Sequence, residues 1–399
     1  MRVSFVRSGS RVLVACLAIV ASAGVLGGQT PAAVSPLEPG GGWAQHAGLA
    51  AAVTAAGSPD LVVKARLVGP GVGWVLTQSA LKRTADDGRT WRDVTPAGLA
   101  IGNVAGWGAL DARHAFLATE SVNNVDFSMT IWRTADGGST WRRSILRHLV
   151  HQTGGICGNA CGLNGFAVTF HMVTAADGFM DYGYPQGVDE EVHPVYQTSD
   201  GGTSWRRVGQ RSTSSFLRMA FRTPGTLLMS EGYALTSTTS GWGHWSSTQF
   251  QFPSMPFSPS LGNVSFWNAR SWIVEIRGAS DYEFAVTTDG GRSWAFRRRA
   301  LPPPLRGEVS NGGQIVAYFD PVTWIATAET CTAAQVCTTW LERTGDRGHS
   351  WQRLGRLPAG IDPFSPVVVV DRLHGWAGLD GPELFATENG GRSWRRLTP

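Results

Sequence analysis

Over residues 59–399 apolar and polar positions alternate in short runs separated by glycine-rich breaks, the pattern of brief β-strands joined by tight turns. Residues 263–294 show it most plainly. Asn263-Val-Ser-Phe-Trp267, Trp272-Ile-Val-Glu-Ile276 and Phe284-Ala-Val-Thr-Thr288 predict strands A, B and C, and strand D starts at Trp294. The break between C and D belongs to a phrase that returns seven times. It reads TADDGRTW at 84–91, TADGGSTW at 134–141, TSDGGTSW at 198–205, TTSGWGHW at 238–245, TTDGGRSW at 287–294, TGDRGHSW at 344–351 and TENGGRSW at 387–394. Start-to-start spacings of 50, 64, 40, 49, 57 and 43 mark an array of similar units, none able to bury its apolar face alone.

Within the phrase the short side chains of Asp86, Asp136, Asp200, Asp289, Asp346 and Asn389 can accept hydrogen bonds from the turn's own backbone. A glycine free to take positive φ follows, then a hydroxyl. The closing Trp91, Trp141, Trp205, Trp245, Trp294, Trp351 and Trp394 offer a large apolar surface for packing against a neighbouring unit. This phrase resembles the Asp-box, or bacterial neuraminidase repeat, of sialidase-like β-propellers. The copy at 238 departs from the pattern, with Ser240 at the Asp position, Trp242 for glycine and His244 for the hydroxyl. The resemblance implies an all-β, seven-bladed propeller with four antiparallel strands per blade, or six blades if the 238 copy is not one. Density of boxes is similar to that of propellers such as photosystem II assembly factors, xyloglucanases and sortilin-type receptors.

Composition changes the picture in three places. Of 17 Trp, seven close the boxes and Trp74, Trp272, Trp324 and Trp376 are expected at one equivalent strand position, so aromatic content alone implies no sugar platform. Residues 1–23 read as a signal peptide: Arg2, Arg7 and Arg11, the apolar run VLVACLAIV, then Ala21-Ser22-Ala23. A lipoprotein anchor at Cys16 is the rival reading. Removing the segment takes away three Arg and no acid, so the formal net charge falls from +4 to +1 and basicity gives no support for nucleic-acid binding. Residues 24–58, rich in Ala, Gly and Pro, read as a flexible tether, and no second segment is long enough to span a bilayer. Four cysteines then remain in two local pairs, Cys157 with Cys161 and Cys331 with Cys337, expected as disulfides in an exported chain. Zinc held by the first pair with His148 and His151 is the alternative, and no metal is expected.

Box turns and A–B turns share one face of a propeller, so the long segments 121–129, 142–165, 182–194, 246–262, 296–313 and 328–338 sort to the opposite face, the loop face. With Trp74, Phe116, Leu227 and Trp376 taken as equivalent, four residues on come Gln78, Glu120, Glu231 and Asp380; Asp181, Glu275 and Glu329 fall near the same level. Arg66 and Arg218 early in strand A, and Arg277 just past strand B, join them. These residues, with Asp189, Glu190 and His193 of the loop 182–194, are the candidate ligand-binding set, a polar funnel; solvated strand ends paired with Arg are the plainer reading. Arg pairs after the box Trp, such as Arg142-Arg143 and Arg395-Arg396, fall on the outer strand D, where charge discourages edge-to-edge pairing.

Catalysis of the sialidase kind would need three Arg, a Tyr–Glu pair and an acid at the funnel. Phe221-Arg222-Thr223-Pro224 is similar to a sialidase motif, but that motif precedes the first box and here it follows the third, so no catalytic residue is assigned. No phosphate loop, zinc-protease helix or nucleophile elbow stands out. The expected function is an exported, monomeric, non-catalytic binding or assembly module that uses no cofactor and recognises a glycan or extracellular protein through the loop face. An exo-acting glycoside hydrolase is the alternative.

Overall fold

The computed structural model describes residues 60–399 except 124–125, 150–166, 186–190, 214–216, 224, 232–233, 239–241, 243, 250–259, 278–281, 299–307, 313–314, 321, 335, 362–364 and 380–382. Apart from a 3-10 turn at Ile101–Asn103, the regular structure among these is all strand. The first sheet runs Val62–Gly69, Val72–Thr77, Leu81–Thr84, Arg92–Asp93. A second, curled sheet has eight strands in two runs of four. One run is Val104–Ala109, Ala115–Asn123, Asp126–Thr134, Arg142–Leu149; the other is Ala167–Met172, Gly178–Pro185, Glu191–Thr198, Arg206–Thr213. The third sheet is Leu217–Thr223, Thr226–Glu231, Ala234–Thr238, Ser246–Gln249, and the fourth is Ser260–Phe266, Trp272–Arg277, Tyr282–Thr287, Ala295–Arg298. In the fifth, strand A is split into Glu308–Gly312 and Ile315–Tyr318, followed by Trp324–Thr332, Cys337–Thr344 and Gln352–Arg356. The sixth is Val367–Val369, Gly375–Ala377, Leu384–Thr387, Arg395–Leu397. Pairing within each run of four strands is antiparallel. The protein is an all-β propeller with four-stranded antiparallel blades, five of them separate sheets.

The two halves of the eight-stranded sheet meet through their A strands, where Gly106 pairs parallel with Val168 and Trp107 with Thr169. A-strand contacts also join the second sheet to the third, the third to the fourth and the fifth to the sixth. The ring closes between the first and last sheets. Ala65 donates its backbone N–H to the Leu379 carbonyl at 2.8 Å, and one apolar cluster contains Val62, Leu67 and Val75 together with Trp376, Leu384 and Leu397.

Five copies of the turn share one hydrogen-bond pattern, and the copy at 387 differs in that Asn389 Nδ2 donates to the Ser393 hydroxyl. In the copy at 134, Thr134 Oγ1 accepts the Gly138 N–H and donates to Asp136 Oδ1 at 2.9 Å; Asp136 accepts from the Thr140 backbone at 2.9 Å and its hydroxyl at 2.6 Å. Gly138 sits at φ 82°, a left-handed conformation, and a Cβ there would lie 2.5 Å from Val94 Cβ, so bulk and handedness both require glycine. Each turn fixes the register of strands C and D by this local network rather than by tertiary packing.

Strand B departs from the expected alignment. Trp272 and Trp324 pair with the turn threonines Thr287 and Thr344, whereas Trp74 pairs with Arg83 and Trp376 with Ala386, one residue further along. The four tryptophans therefore occupy two registers, and their side chains leave opposite faces of their sheets. Leu227 pairs with Thr238, so it matches Trp272 and not Trp74. Two further expectations change. Residues 121–123, 126–129, 328–332 and 337–338 are not in loops but at the ends of long, paired B and C strands, and Arg277 is the last residue of its B strand.

Candidate functional site

Counting from the residue that pairs with each turn threonine puts Asp181 and Glu275 at one level of strand B, and Glu120, Glu329 and Arg277 two residues further, on the same side of their sheets. Glu231 is out of step with both levels. Among the described side chains, the sequence-predicted acids are not gathered into an open funnel. Asp181 and Glu275 are buried between blades, Glu120 and Glu329 are half-buried. Asp380, Asp189 and Glu190 lie outside the described residues, as do the side chains of Glu231, Arg218 and Arg277. Arg66, on strand A of the first sheet, keeps an exposed side chain, yet desolvation by the surrounding protein lowers its guanidinium pKa. Both observations fit a side chain reaching into water enclosed by protein.

Asp181 is held by imidazoles from the strands on either side. Its Oδ1 lies 2.9 Å from His171 Nε2 on strand A and its Oδ2 3.4 Å from His193 Nδ1 on strand C. Burial pushes the carboxyl up, but hydrogen bonds and charge from the two histidines outweigh it and hold Asp181 below its ordinary value. Phe221 of the next blade covers the group, 4.7 Å from the His171 ring and 4.4 Å from Phe179. His171 was not in the predicted set; its place, next to last in its strand and opposite Phe179, needed the A–B register to be seen.

Glu120 differs. Desolvation alone raises its carboxyl to about 7, and its Oε1 is buried without a hydrogen-bond partner among the described residues. Glu275 approaches Tyr318 of the next blade, whose phenol is pushed well above its ordinary value by burial first and the Glu275 charge second. That is the Tyr–Glu pair a sialidase-like reading asks for, but a phenol shifted upward is a weaker nucleophile. Arg66, Arg218 and Arg277 come from the first, third and fourth sheets, and the pair is buried between the fourth and fifth, beside Trp324.

Cys331 and Cys337 form a disulfide across the B–C hairpin of the fifth sheet. Cys157 and Cys161 lie outside the described residues. The tryptophans that close the turns pack between blades: Trp141 donates to the Val94 carbonyl of the preceding sheet at 2.8 Å, and the Trp91 and Trp376 rings lie 5.9 Å apart. In the irregular copy, Trp242 takes the space above Gly209 of the previous blade, and the Arg211 guanidinium lies 4.6 Å from the Trp245 ring. The misfit at 238 is therefore matched by a glycine in the partner strand.

Two cavities open on the turn face. One of about 240 Å³ lies between the fourth and fifth sheets and is lined by residues of their A–B and C–D turns, among them Trp267, Trp272, Trp294, Arg297, Tyr318, Trp324 and Arg347. The other, about 370 Å³, lies between the fifth and sixth sheets and includes Arg343, Trp351 and Arg372. Nothing in the sequence marked this face as more than structural, because its residues come from turns of two separate repeats.

No family model and no curated protein matches this chain. Among solved structures it is similar to YCF48 bound to D1 peptide, at 14% identity and a TM-score of 0.51, with 84% of this chain and 93% of that one covered. YCF48 from Cyanidioschyzon merolae gives 14% identity and a TM-score of 0.48 over 84% and 96%. Prolyl oligopeptidase B from Galerina marginata, bound to a macrocyclization substrate, gives 10% and 0.51 over 85% of this chain and 51% of that one. The likeness is one of fold. Among the described residues no helix is long and apolar enough to cross a membrane.

Proposed function

We propose that this chain is an exported, non-catalytic, partner-binding propeller of seven blades, recognising a protein through the face that carries its long B–C hairpins. The eight-stranded sheet counts as two blades, the six regular turns as Asp-boxes, and 238–245 as a degenerate seventh. Residues 1–23 act as a signal peptide, 24–58 as a tether, and Cys157–Cys161 as a second disulfide. The observation that carries the reading is the set of strand pairs that outgrow their blades on one side: Ala115–Asn123 with Asp126–Thr134, Gly178–Pro185 with Glu191–Thr198, and Trp324–Thr332 with Cys337–Thr344. Paired strands hold each other in register, so recognition groups along them are presented with little entropy left to lose. YCF48, a propeller of similar fold, is seen with a peptide bound. Burial and the Glu275 charge hold the Tyr318 phenol well above its ordinary value, which leaves little phenolate for attack and speaks against sialidase chemistry.

The test pairs capture with catalysis. Purified full-length protein should enrich one protein partner at constant stoichiometry, and replacing residues 186–190, which link Gly178–Pro185 to Glu191–Thr198, by Gly-Ser residues should abolish capture while leaving the melting temperature unchanged. Hydrolysis of chromogenic sialosides or other glycosides, selective retention of a glycan on an array, or capture indifferent to the hairpins would overturn it.

A further inference from the structure

The cavity between the fourth and fifth sheets has the composition of a binding pocket on the face opposite the hairpins. Its walls are flat and apolar: Phe266, Trp272 and Trp294 on one side, Trp324 and Tyr318 on the other, with Trp267 about half exposed at 49%. Rings contact each other edge-on or tilted, Phe266 to Trp272 at 5.5 Å and Tyr318 to Trp324 at 5.8 Å, which fixes the walls rigidly. At about 240 Å³ the space is smaller than the ~300–1,000 Å³ usual for small-molecule sites, so it suits a single ring with a short substituent rather than an extended chain.

Its polar lining is unbalanced. Arg297 Nε and the Tyr318 hydroxyl are buried and have no hydrogen-bond partner among the described residues. Arg347, at a left-handed φ of 64° in the turn of the fifth sheet, adds an exposed guanidinium. The carboxylate in the lining, Asp320, is already engaged: its Oδ1 accepts the N–H groups of Val322 at 2.7 Å and Thr323 at 2.8 Å. A buried donor without an acceptor is costly, and an incoming anion would relieve two of them while lying beside two cations. The same aromatic walls around a cationic ligand would set it against Arg297 and Arg347, so an ammonium ligand is disfavoured.

We propose that this cavity binds an aromatic ring bearing a carboxylate, the ring between Trp267, Trp272 and Trp324 and the carboxylate on Arg297 and Tyr318. The chemistry is shared by a free aromatic acid and by a peptide that ends in an aromatic residue. The site is independent of the hairpin face.

Calorimetric titration of full-length protein with indole-3-acetate and with the tripeptide Gly-Gly-Trp, each against its uncharged amide, tests it. At least one acid should bind, at least ~10-fold more tightly than its amide, the worth of one charge-assisted hydrogen bond. Binding by the tripeptide alone identifies a chain terminus as the source; binding by indole-3-acetate alone identifies a small acid. Arg297→Gln should weaken the bound acid by ~10-fold or more and Trp267→Ala by several-fold, while Arg92→Gln, on the first sheet, leaves it unchanged. Should Arg297→Gln fail to melt cooperatively, Arg297→Lys, which keeps charge but loses the fork, serves instead. Equal affinity for acid and amide, no binding of either acid at 10 mM, or full binding by a folded Arg297 variant overturns the proposal.

Discussion

Carboxylates in this protein divide by what surrounds them. In the turns, Asp86, Asp136 and Asp346 are lowered to about 2, chiefly by the hydroxyls of Thr90, Thr140 and Ser350 and then by backbone N–H groups. At Asp200 desolvation is the largest single influence and opposes the shift, but the Ser204 hydroxyl and backbone prevail and the value is again about 2. These groups stabilise the fold above the ordinary carboxylate value near 4, and that contribution is lost as pH falls toward 2. Glu120 has the opposite sign. Its folded value of about 7 lies above the ordinary 4.5, so between those values the folded protein holds a proton that the unfolded chain has released. Its contribution is intact below 4.5 and is lost as pH rises through 7. Glu120→Gln, which keeps the shape and removes the titration, should therefore raise the melting temperature at pH 8 and leave it unchanged at pH 4.5. A variant with the same effect at both pH values would show that Glu120 reaches solvent.

At the scale of strands, the turns were legible in sequence because their bonds are local: a threonine, an aspartate two on and a hydroxyl four further on specify the network without help from distant residues. Strand B was not. A tryptophan at its start reads as one landmark, yet the sheet counts from the turn threonine, and Gly73-Trp74 and Gly375-Trp376 insert one residue that Trp272 and Trp324 lack. The glycines before Trp74 and Trp376 were the available signal. A shift of one position changes the side to which a residue points, which is why Glu231 does not share a level with Glu120 and why Asp181 meets two histidines instead of a funnel. Glycine decides pairing between strands too. A Cβ at Gly106 would lie 2.2 Å from the Val168 carbonyl oxygen, so the parallel join inside the eight-stranded sheet exists because position 106 carries no side chain. Gly106→Val should cost about 3 kcal/mol and strip hydrogen-exchange protection from 104–109 and 167–172, leaving the other sheets protected. Protection lost uniformly would mean that the join is not a local unit.

For the whole molecule the decisive interface is the one between the first and last sheets, because it ties together residues roughly 300 positions apart and its loop-closure cost is offset at a single seam. Polar contacts line its rim: Arg89 Nη2 donates to both Glu388 oxygens at 2.7 Å, and Arg395 Nη2 donates to the Asp87 carbonyl at 2.6 Å. The Arg89–Glu388 pair is exposed and contributes little. The centre is Trp376, fully buried, whose ring occupies the place where a side chain at position 73 would stand; a Cβ on Gly73 would lie 2.0 Å from it. The two residues are complementary, one supplying bulk and the other its absence. Trp376→Ala should cost about 4 kcal/mol through the cavity it leaves, and Gly73→Ala about 3 kcal/mol through overpacking. In the double variant the added methyl points into the vacated volume, so the two losses should fall short of their sum by about 2 kcal/mol or more in urea denaturation. Strictly additive losses would show that the two sheets do not meet there, and the ring would have to close by some other contact.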